Sequence, residues 1–268
     1  MNDHRDTLKI LTVNVGNPSL KRAERQLEWL AGRPDDILVL TETNTSRGCD
    51  LLADRLAGVG WEVRFLRPLE GERGVLIASR VRLDPRGEDL VDYLPARAEM
   101  VTVAGGLAEI IGVYVPSRDG SLTKTERKQM FLDALSRAIG DSATPSGVLI
   151  GDLNVLEPEH RPHYPWFQDW EYDFYNDLLA AGWIDAYRLV QPSAMEHSWV
   201  GHEGDGYRYD HAFVSADLAQ HVAGCVYLHE TRELELTDHS AMALELNIAG
   251  TEHLEVNPFL SSEQPALF

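Results

Sequence analysis

From residue 141 to residue 268 the chain has no lysine and only four arginines, against 22 Asp and Glu. Residues 1–140 hold 20 Lys and Arg against 21 Asp and Glu, so almost all of the net charge of −19 falls in the second half. The basic footprint usual in nucleic-acid binders is therefore missing there. A phosphate-bearing substrate is expected to meet loops of the first half, or bound metal. General acidity for solubility explains the same counts. Cysteine is scarce too, and Cys49 and Cys225 make neither a disulfide framework nor a zinc spacing. No apolar run approaches the roughly eighteen residues of a membrane span, and MNDHRDTLKI lacks an apolar signal-peptide core, so a reducing cytoplasm is the expected setting. No Pro/Gly/Ser-rich linker, repeat or low-complexity tract divides the chain. With 44% apolar residues in 268 it can bury one large core. One α/β catalytic domain is expected over residues 1–250, with a tail over 251–268.

What is present is a series of apolar, strand-like runs that end in polar residues. KILTVNV ends on Asn14, ILVLTET carries Glu42, IIGVYVPS carries Tyr114, and GVLIGDLNV carries Asp152 and Asn154. HSWVG with Trp199, YRYDHAFVS with Asp210 and LTDHSAM with Asp238 and His239 follow. Strand ends are where a sheet gathers side chains into one pocket. Between the strands lie LKRAERQLEWLAG, with Leu20, Ala23, Leu27 and Leu30 on one face, then CDLLADRLAGVG, TKTERKQMFLDALSRAIG and DFYNDLLAAGW as helices. Strands arriving in pairs between helices suggest mixed sheets rather than one doubly wound parallel sheet.

The residue types suit cleavage of a phosphate ester. Glu42 follows an apolar run, where a carboxylate is costly unless paired, and Mg²⁺ accepts one or two carboxylates plus phosphate oxygens. A strand-end carboxylate that caps a nearby helix is the other reading. Asp152 and Asn154 stand two apart, so on a strand they share a face. Asp152 can then orient water while Asn154 donates to a phosphoryl oxygen, although an Asp/Asn turn fits as well. Asp238 as a metal contact, His239 aimed at phosphate and Asp210 fixing its tautomer complete the set. His211 is read as structural.

Together these motifs resemble the endonuclease/exonuclease/phosphatase superfamily of Mg²⁺-dependent phosphoesterases, in family order from about Leu8 to Ile248. D-L-N-V-L-E-P, LLAAGWIDAYR, S-W ahead of YRYDHAFVS, and K-x-x-F at Lys128 and Phe131 make the exonuclease III branch of abasic-site endonucleases the nearest. The resemblance implies a four-layer sandwich, two mixed β-sheets face to face and flanked by helices. It implies that Glu42 holds Mg²⁺ (or Mn²⁺), with Asn14 and Asp238 in the metal and phosphate shell. Tyr114 would contact the phosphate or leaving oxygen, Asp152 would position the attacking water and Asn154 would bind the phosphate. Asp210 would orient His239, which stabilises the developing charge. Trp199 matches an aromatic near the family's sugar pocket, or is a core tryptophan.

The chain departs from that branch at Val15-Gly16-Asn17-Pro18, where Gly-Leu-Arg is common, and in the weakly basic stretch after Asn154. DNA is the leading substrate, with a small phosphoester as the alternative and a non-catalytic DNA- or protein-binding scaffold as a second one. Lys21, Arg22, Arg73, Arg118, Lys124 and Lys128 are the expected phosphate contacts, unless they are simply solvated charges. Finally, Gln264-Pro265-Ala266-Leu267-Phe268 resembles the peptide by which bacterial repair proteins dock on the sliding clamp, Gln264 making polar contacts and Leu267-Phe268 filling an apolar pocket. A tail folded on this protein's own surface is the alternative.

Overall fold

A computed structural model describes residues 7–85, 87–141 and 146–258. The first half runs β1 (Leu8–Asn14), α1 (Leu20–Ala31), β2 (Ile37–Thr43), α2 (Arg47–Gly58), β3 (Glu62–Arg64), β4 (Gly74–Ser79), β5 (Ala98–Thr102), β6 (Glu109–Tyr114) and α3 (Leu122–Asp141). The second runs β7 (Gly147–Asp152), α4 (Asp169–Ala180), β8 (Trp183–Asp185), α5 (Ala186–Val190), β9 (Trp199–Val200), β10 (Gly206–Tyr207), β11 (Asp210–Ser215), α6 (Ala216–Ala219), β12 (Val222–Leu228), α7 (Glu230–Glu233) and β13 (Ala241–Leu246). Among the described residues no helix is long and apolar enough to cross a membrane.

Two mixed sheets form, one of six strands ordered β12-β13-β1-β2-β4-β3 and one of five ordered β5-β6-β7-β11-β8. The pleat sends successive side chains to opposite faces, and here both faces are covered. In β1, Leu8 and Ile10 pack against the other sheet while Leu11 and Val13 pack under α1 and α2. In β7, Val148 and Ile150 join the inter-sheet core while Leu149 faces α3 and α4. That is why these strands read as predominantly apolar runs. The four-layer sandwich follows directly from burying every face.

Local signals act where expected, with exceptions. Ser19 caps α1, its hydroxyl accepting from the Arg22 N–H at 3.3 Å. Leu20, assigned to the apolar face of that helix, is instead partly exposed, and Gln26 is buried. The Gln26 amide donates to the carbonyls of Val15 (3.0 Å) and Leu236 (2.8 Å), so a polar residue ties α1 to the chain around it. Residues 251–257, read from the sequence as tail, run back along the domain. The N–H groups of Arg82, Leu254 and Asn257 donate to the carbonyls of Glu252, Arg80 and Val59. Gln264, Leu267 and Phe268 lie outside the described residues.

The two sheets approach closely at Gly112 of β6. A Cβ there would lie 2.7 Å from Val39 and 3.0 Å from Val75, both branched side chains with little room to yield. Gly112→Ala is therefore expected to destabilise the fold by about 1–3 kcal/mol, or roughly 2–12 °C in Tm. Gly140→Ala in α3, where a Cβ meets nothing within 4 Å among the described residues, is the control and should be neutral or stabilising. Equal melting temperatures for the two variants would contradict this picture of the interface.

Candidate active site

Strand direction brings the polar strand ends to one edge of the sandwich. β1 and β2 run parallel, so Asn14 and Glu42 emerge at the same end. β6 and β7 also run parallel, with Tyr114 in register with Asp152. β11 is antiparallel to β7 and pairs Asp210 with Asp152. β13 is antiparallel to β1, so the residues just before it, Asp238 and His239, return to that edge. The six-stranded sheet thus supplies Asn14, Glu42 and His239, and the five-stranded sheet supplies Tyr114, Asp152 and Asp210.

Hydrogen bonds close the group. Gly16 N–H donates to Asn14 Oδ1 at 2.9 Å, which turns the Asn14 amide nitrogen inward. That nitrogen donates to Asp152 Oδ2 at 2.9 Å and lies 3.4 Å from His239 Nε2. His239 Nδ1 is 2.7 Å from Asp210 Oδ2. With Asn14 donating toward Nε2, the neutral imidazole carries its proton on Nδ1, facing Asp210. Asp210 is held in turn by its own backbone, whose N–H donates to Ser198 Oγ at 3.1 Å. Asp152, Asp210 and His239 are all buried.

Burial and mutual charge set the protonation of this group. The Asp152 carboxyl is raised above the usual range, first by desolvation and then by the charge of Asp210. Burial works against a charged His239, but Asp210, Asp152 and Asp238 outweigh it and raise its pKa. Burial also raises the Tyr114 hydroxyl, with Glu42 and Asp152 adding to the effect, so it stays protonated.

The remaining candidates are placed as follows. Glu42 has a positive φ of 56° within a bulge against β4, and its side chain lines the cavity wall. Its carboxylate is 3.7 Å from Arg73. Asn154 is not on the strand with Asp152, because β7 ends at Asp152 and Asn154 has φ 50°. Its N–H donates to Asp152 Oδ1 at 3.0 Å and its side chain to Val115 O at 2.9 Å, so the segment is an Asp/Asn turn at the cavity. Gly151 before it has φ 145°, and a Cβ there would lie 2.1 Å from the Val113 carbonyl oxygen. Asp238 Oδ2 accepts from the Trp199 indole at 2.9 Å, and Trp199 is half-buried on the cavity wall rather than in the core. His211 is fully buried with Nε2 3.1 Å from Val155 O, in keeping with a structural role.

The expected substrate cations are mostly engaged by the protein itself. Lys128 is buried, with Nζ 2.5 Å from Glu171 and 2.6 Å from the Asn154 carbonyl oxygen. It braces the backbone of Asn154 instead of reaching outward. Arg118 pairs with the same Glu171 and donates to Trp166 O at 2.6 Å. Lys124 pairs with Asp119 at 2.7 Å, and Arg22 donates to Gly16 O. Glu171 and the aromatic residues Trp166, Phe167 and Tyr209 on the cavity wall went unassigned in the sequence. For all but Tyr209 the signal is the aromatic run HYPWFQDWEY, which has no Lys or Arg.

The donor set suits a hard divalent cation. Asp152, Asp210 and His239 offer ligand atoms within 4.8 Å of one another, and Glu42 lines the same cavity of about 880 Å³. Asp210 Oδ1 is buried without a hydrogen-bond partner among the described residues, and a second buried carboxylate, Asp152, lies close to the same pair. Added positive charge would relieve both conditions.

The Endonuclease/Exonuclease/phosphatase family model matches residues 11–239. The chain belongs to this family. It is 22% identical over 257 residues to an exodeoxyribonuclease of Bacillus subtilis (strain 168), covering 90% of this chain and all of that one. Among solved structures, a 3′-5′ exonuclease from Neisseria meningitidis superposes with a TM-score of 0.76 at 28% identity, covering 89% of this chain and 99% of the other. A Neisseria 3′ phosphatase bound to product DNA hairpin gives 0.77 at 27% identity, with the same coverage. An AP endonuclease from Archaeoglobus fulgidus has the same fold, with a TM-score of 0.77 at 24% identity over 90% of this chain and all of that one. The family chemistry is phosphoric ester hydrolysis, and this chain is a phosphoric ester hydrolase of that family.

Proposed function

We propose that this chain is a Mg²⁺-dependent DNA nuclease that hydrolyses phosphodiesters at 3′ ends or abasic sites, with Mn²⁺ as a possible substitute. The observation that carries this reading is the hydrogen-bonded group Asn14–Asp152 and His239–Asp210, which spans both sheets beside Glu42. Glu42 would hold the ion, with the Asp152, Asp210 and His239 group beside it. When bound, the ion polarises phosphoryl oxygens and neutralises charge on the leaving oxygen.

The protein's own groups have separable tasks. Asp152, fixed by Asn14 and by the Asn154 N–H, orients the water that attacks phosphorus. The imidazole of His239, fixed by Asp210, faces the negative charge that develops on the phosphoryl oxygens. Tyr114, protonated and close to Glu42 and Asp152, donates toward the phosphate or leaving oxygen. Asn14 acts by orienting Asp152, and Asp238 acts through Trp199. A small phosphoester is the second reading, favoured because Arg118 and Lys128 are tied to Glu171 instead of facing outward.

Chelation and substrate choice test the reading together. EDTA is expected to abolish hydrolysis, and Mg²⁺ or Mn²⁺ to restore it. Glu42→Gln should raise the metal concentration needed while leaving the protein folded. Recessed duplex, abasic duplex and a chromogenic phosphodiester should be incubated side by side. Full activity after extensive dialysis against EDTA would rule out the metal, and cleavage of the chromogenic ester alone would favour the small substrate.

A further inference from the structure

The catalytic group accounts for the floor of the cavity but not for its aromatic wall. Trp166, Phe167, Trp199 and Tyr209 line a space of about 880 Å³, far more than one phosphate fills. Behind them the rings are stacked in series. Trp166 lies on Tyr164 (centroids 4.8 Å, planes 27° apart), Tyr164 on Tyr207 (4.3 Å, 22°) and Tyr207 on Tyr209 (5.1 Å, 13°). Tyr164 and Tyr207 are buried, whereas Trp166 is 55% exposed. One indole face is therefore backed by a ring and the other is open at the cavity rim. The backbone of Trp166 is fastened: Arg118 donates to its carbonyl and pairs with Glu171, which also accepts from the Gln168 N–H at 3.0 Å.

We propose that Trp166 is a stacking platform for the nucleobase of the nucleotide whose phosphate is cleaved, which makes a base-bearing 3′ end a better substrate than an abasic one. The inference deepens the nuclease reading and rests on it. A π-face binds any base without needing a cation, and stacking is tolerant of sequence. That matches a cavity whose own cations are already shared with Glu171 and a protein of net charge −19. The occupant is a planar, uncharged heterocycle carried by a phosphate, because the aromatic wall is continuous with the Asp152, Asn154 and His239 edge of the same cavity. An abasic sugar would leave the open face of Trp166 uncovered.

The test uses full-length protein and recessed duplexes ending in 2-aminopurine or in an abasic nucleotide. Trp166→Ala is expected to raise KM for the 2-aminopurine end roughly 5- to 150-fold, the range for losing one base–aromatic stack, with little change in kcat. The abasic end should change less than threefold, and Trp166→Phe should restore most of the loss. Stacking is read independently of turnover in the slow Asp210→Asn background with Mg²⁺ present. There 2-aminopurine emission should be quenched on binding, and the quench should disappear with Trp166→Ala. Equal effects on both duplexes, or unchanged KM and unchanged quenching, would overturn the platform. A wild-type protein that cleaves neither duplex would overturn the nuclease reading, while the quenching measurement would still decide whether Trp166 receives a base.

Discussion

Asp210→Asn should lower kcat by about 10²–10⁴-fold while leaving KM and melting temperature nearly unchanged. The carboxylate oxygen 2.7 Å from His239 Nδ1 fixes which ring nitrogen carries the proton. An amide there can present N–H toward Nδ1 and so favour the opposite tautomer, while occupying the same volume. His239→Ala should show a loss of similar size. The double variant should be little worse than either single one, because residues that act as one unit stabilise the same transition state. Simple addition of the two losses would mean that Asp210 and His239 act separately. A near wild-type rate in Asp210→Asn would remove this pair from catalysis altogether.

The largest effect on stability is expected at Arg208, which is fully buried and takes no part in the chemistry. Its guanidinium lies 2.5 Å from Asp185 and 3.0 Å from Glu157, and Tyr175 donates to Asp185 at 2.7 Å. Arg188 also pairs with Glu157. Removing one partner from such a network leaves buried charge uncompensated, which costs about 3–5 kcal/mol. Arg208→Met should therefore lower Tm by roughly 6–20 °C. Burial alone would raise the Asp185 carboxyl, but Arg208 and His211 pull it well below the ordinary carboxylate range. A depressed folded pKa contributes stability that is present above the unfolded pKa of about 4 and is lost as pH falls toward the folded value. Arg208→Met should flatten that acid limb of the stability curve. Wild-type melting behaviour in the variant would show that the network adds nothing net.

The strands β1, β2 and β7 were legible because both of their faces are covered, so they are dominated by apolar residues up to the functional end, with Lys9, Thr12 and Thr41 as the polar exceptions. The polar ends were legible for the same reason: Asn14, Asp152 and Asp210 interrupt a pattern that has no other use for them. Short elements were not. β8, β9 and β10 span two or three residues, too few for any period to show. Glu42 and Asn154 were identified by type, but their positive φ came from a bulge and a turn that residue spacing does not encode. Lys128 is buried although a lysine ordinarily marks an exposed position. Its partner Glu171 lies 43 positions away on α4, and only the folded chain brings the two together. The aromatic wall was hidden in the same way, since Trp166 and Tyr209 become neighbours of one cavity only through β7, β11 and the loop between β7 and α4.

The division of the site between two sheets makes turnover a gauge of their alignment. Asn14 and Asp152 are separated by 138 positions and belong to different layers, as do His239 and Asp210. Each layer keeps its own ladder of backbone bonds, so a slip of about an ångström between them would leave circular dichroism almost untouched. The same slip would part both hydrogen-bonded pairs, and misplacement on that scale can cost about a hundredfold in rate. Heat or denaturant should therefore silence the protein before it melts. Neither layer expressed alone could hold a working site, since each carries half of the contacts that define it.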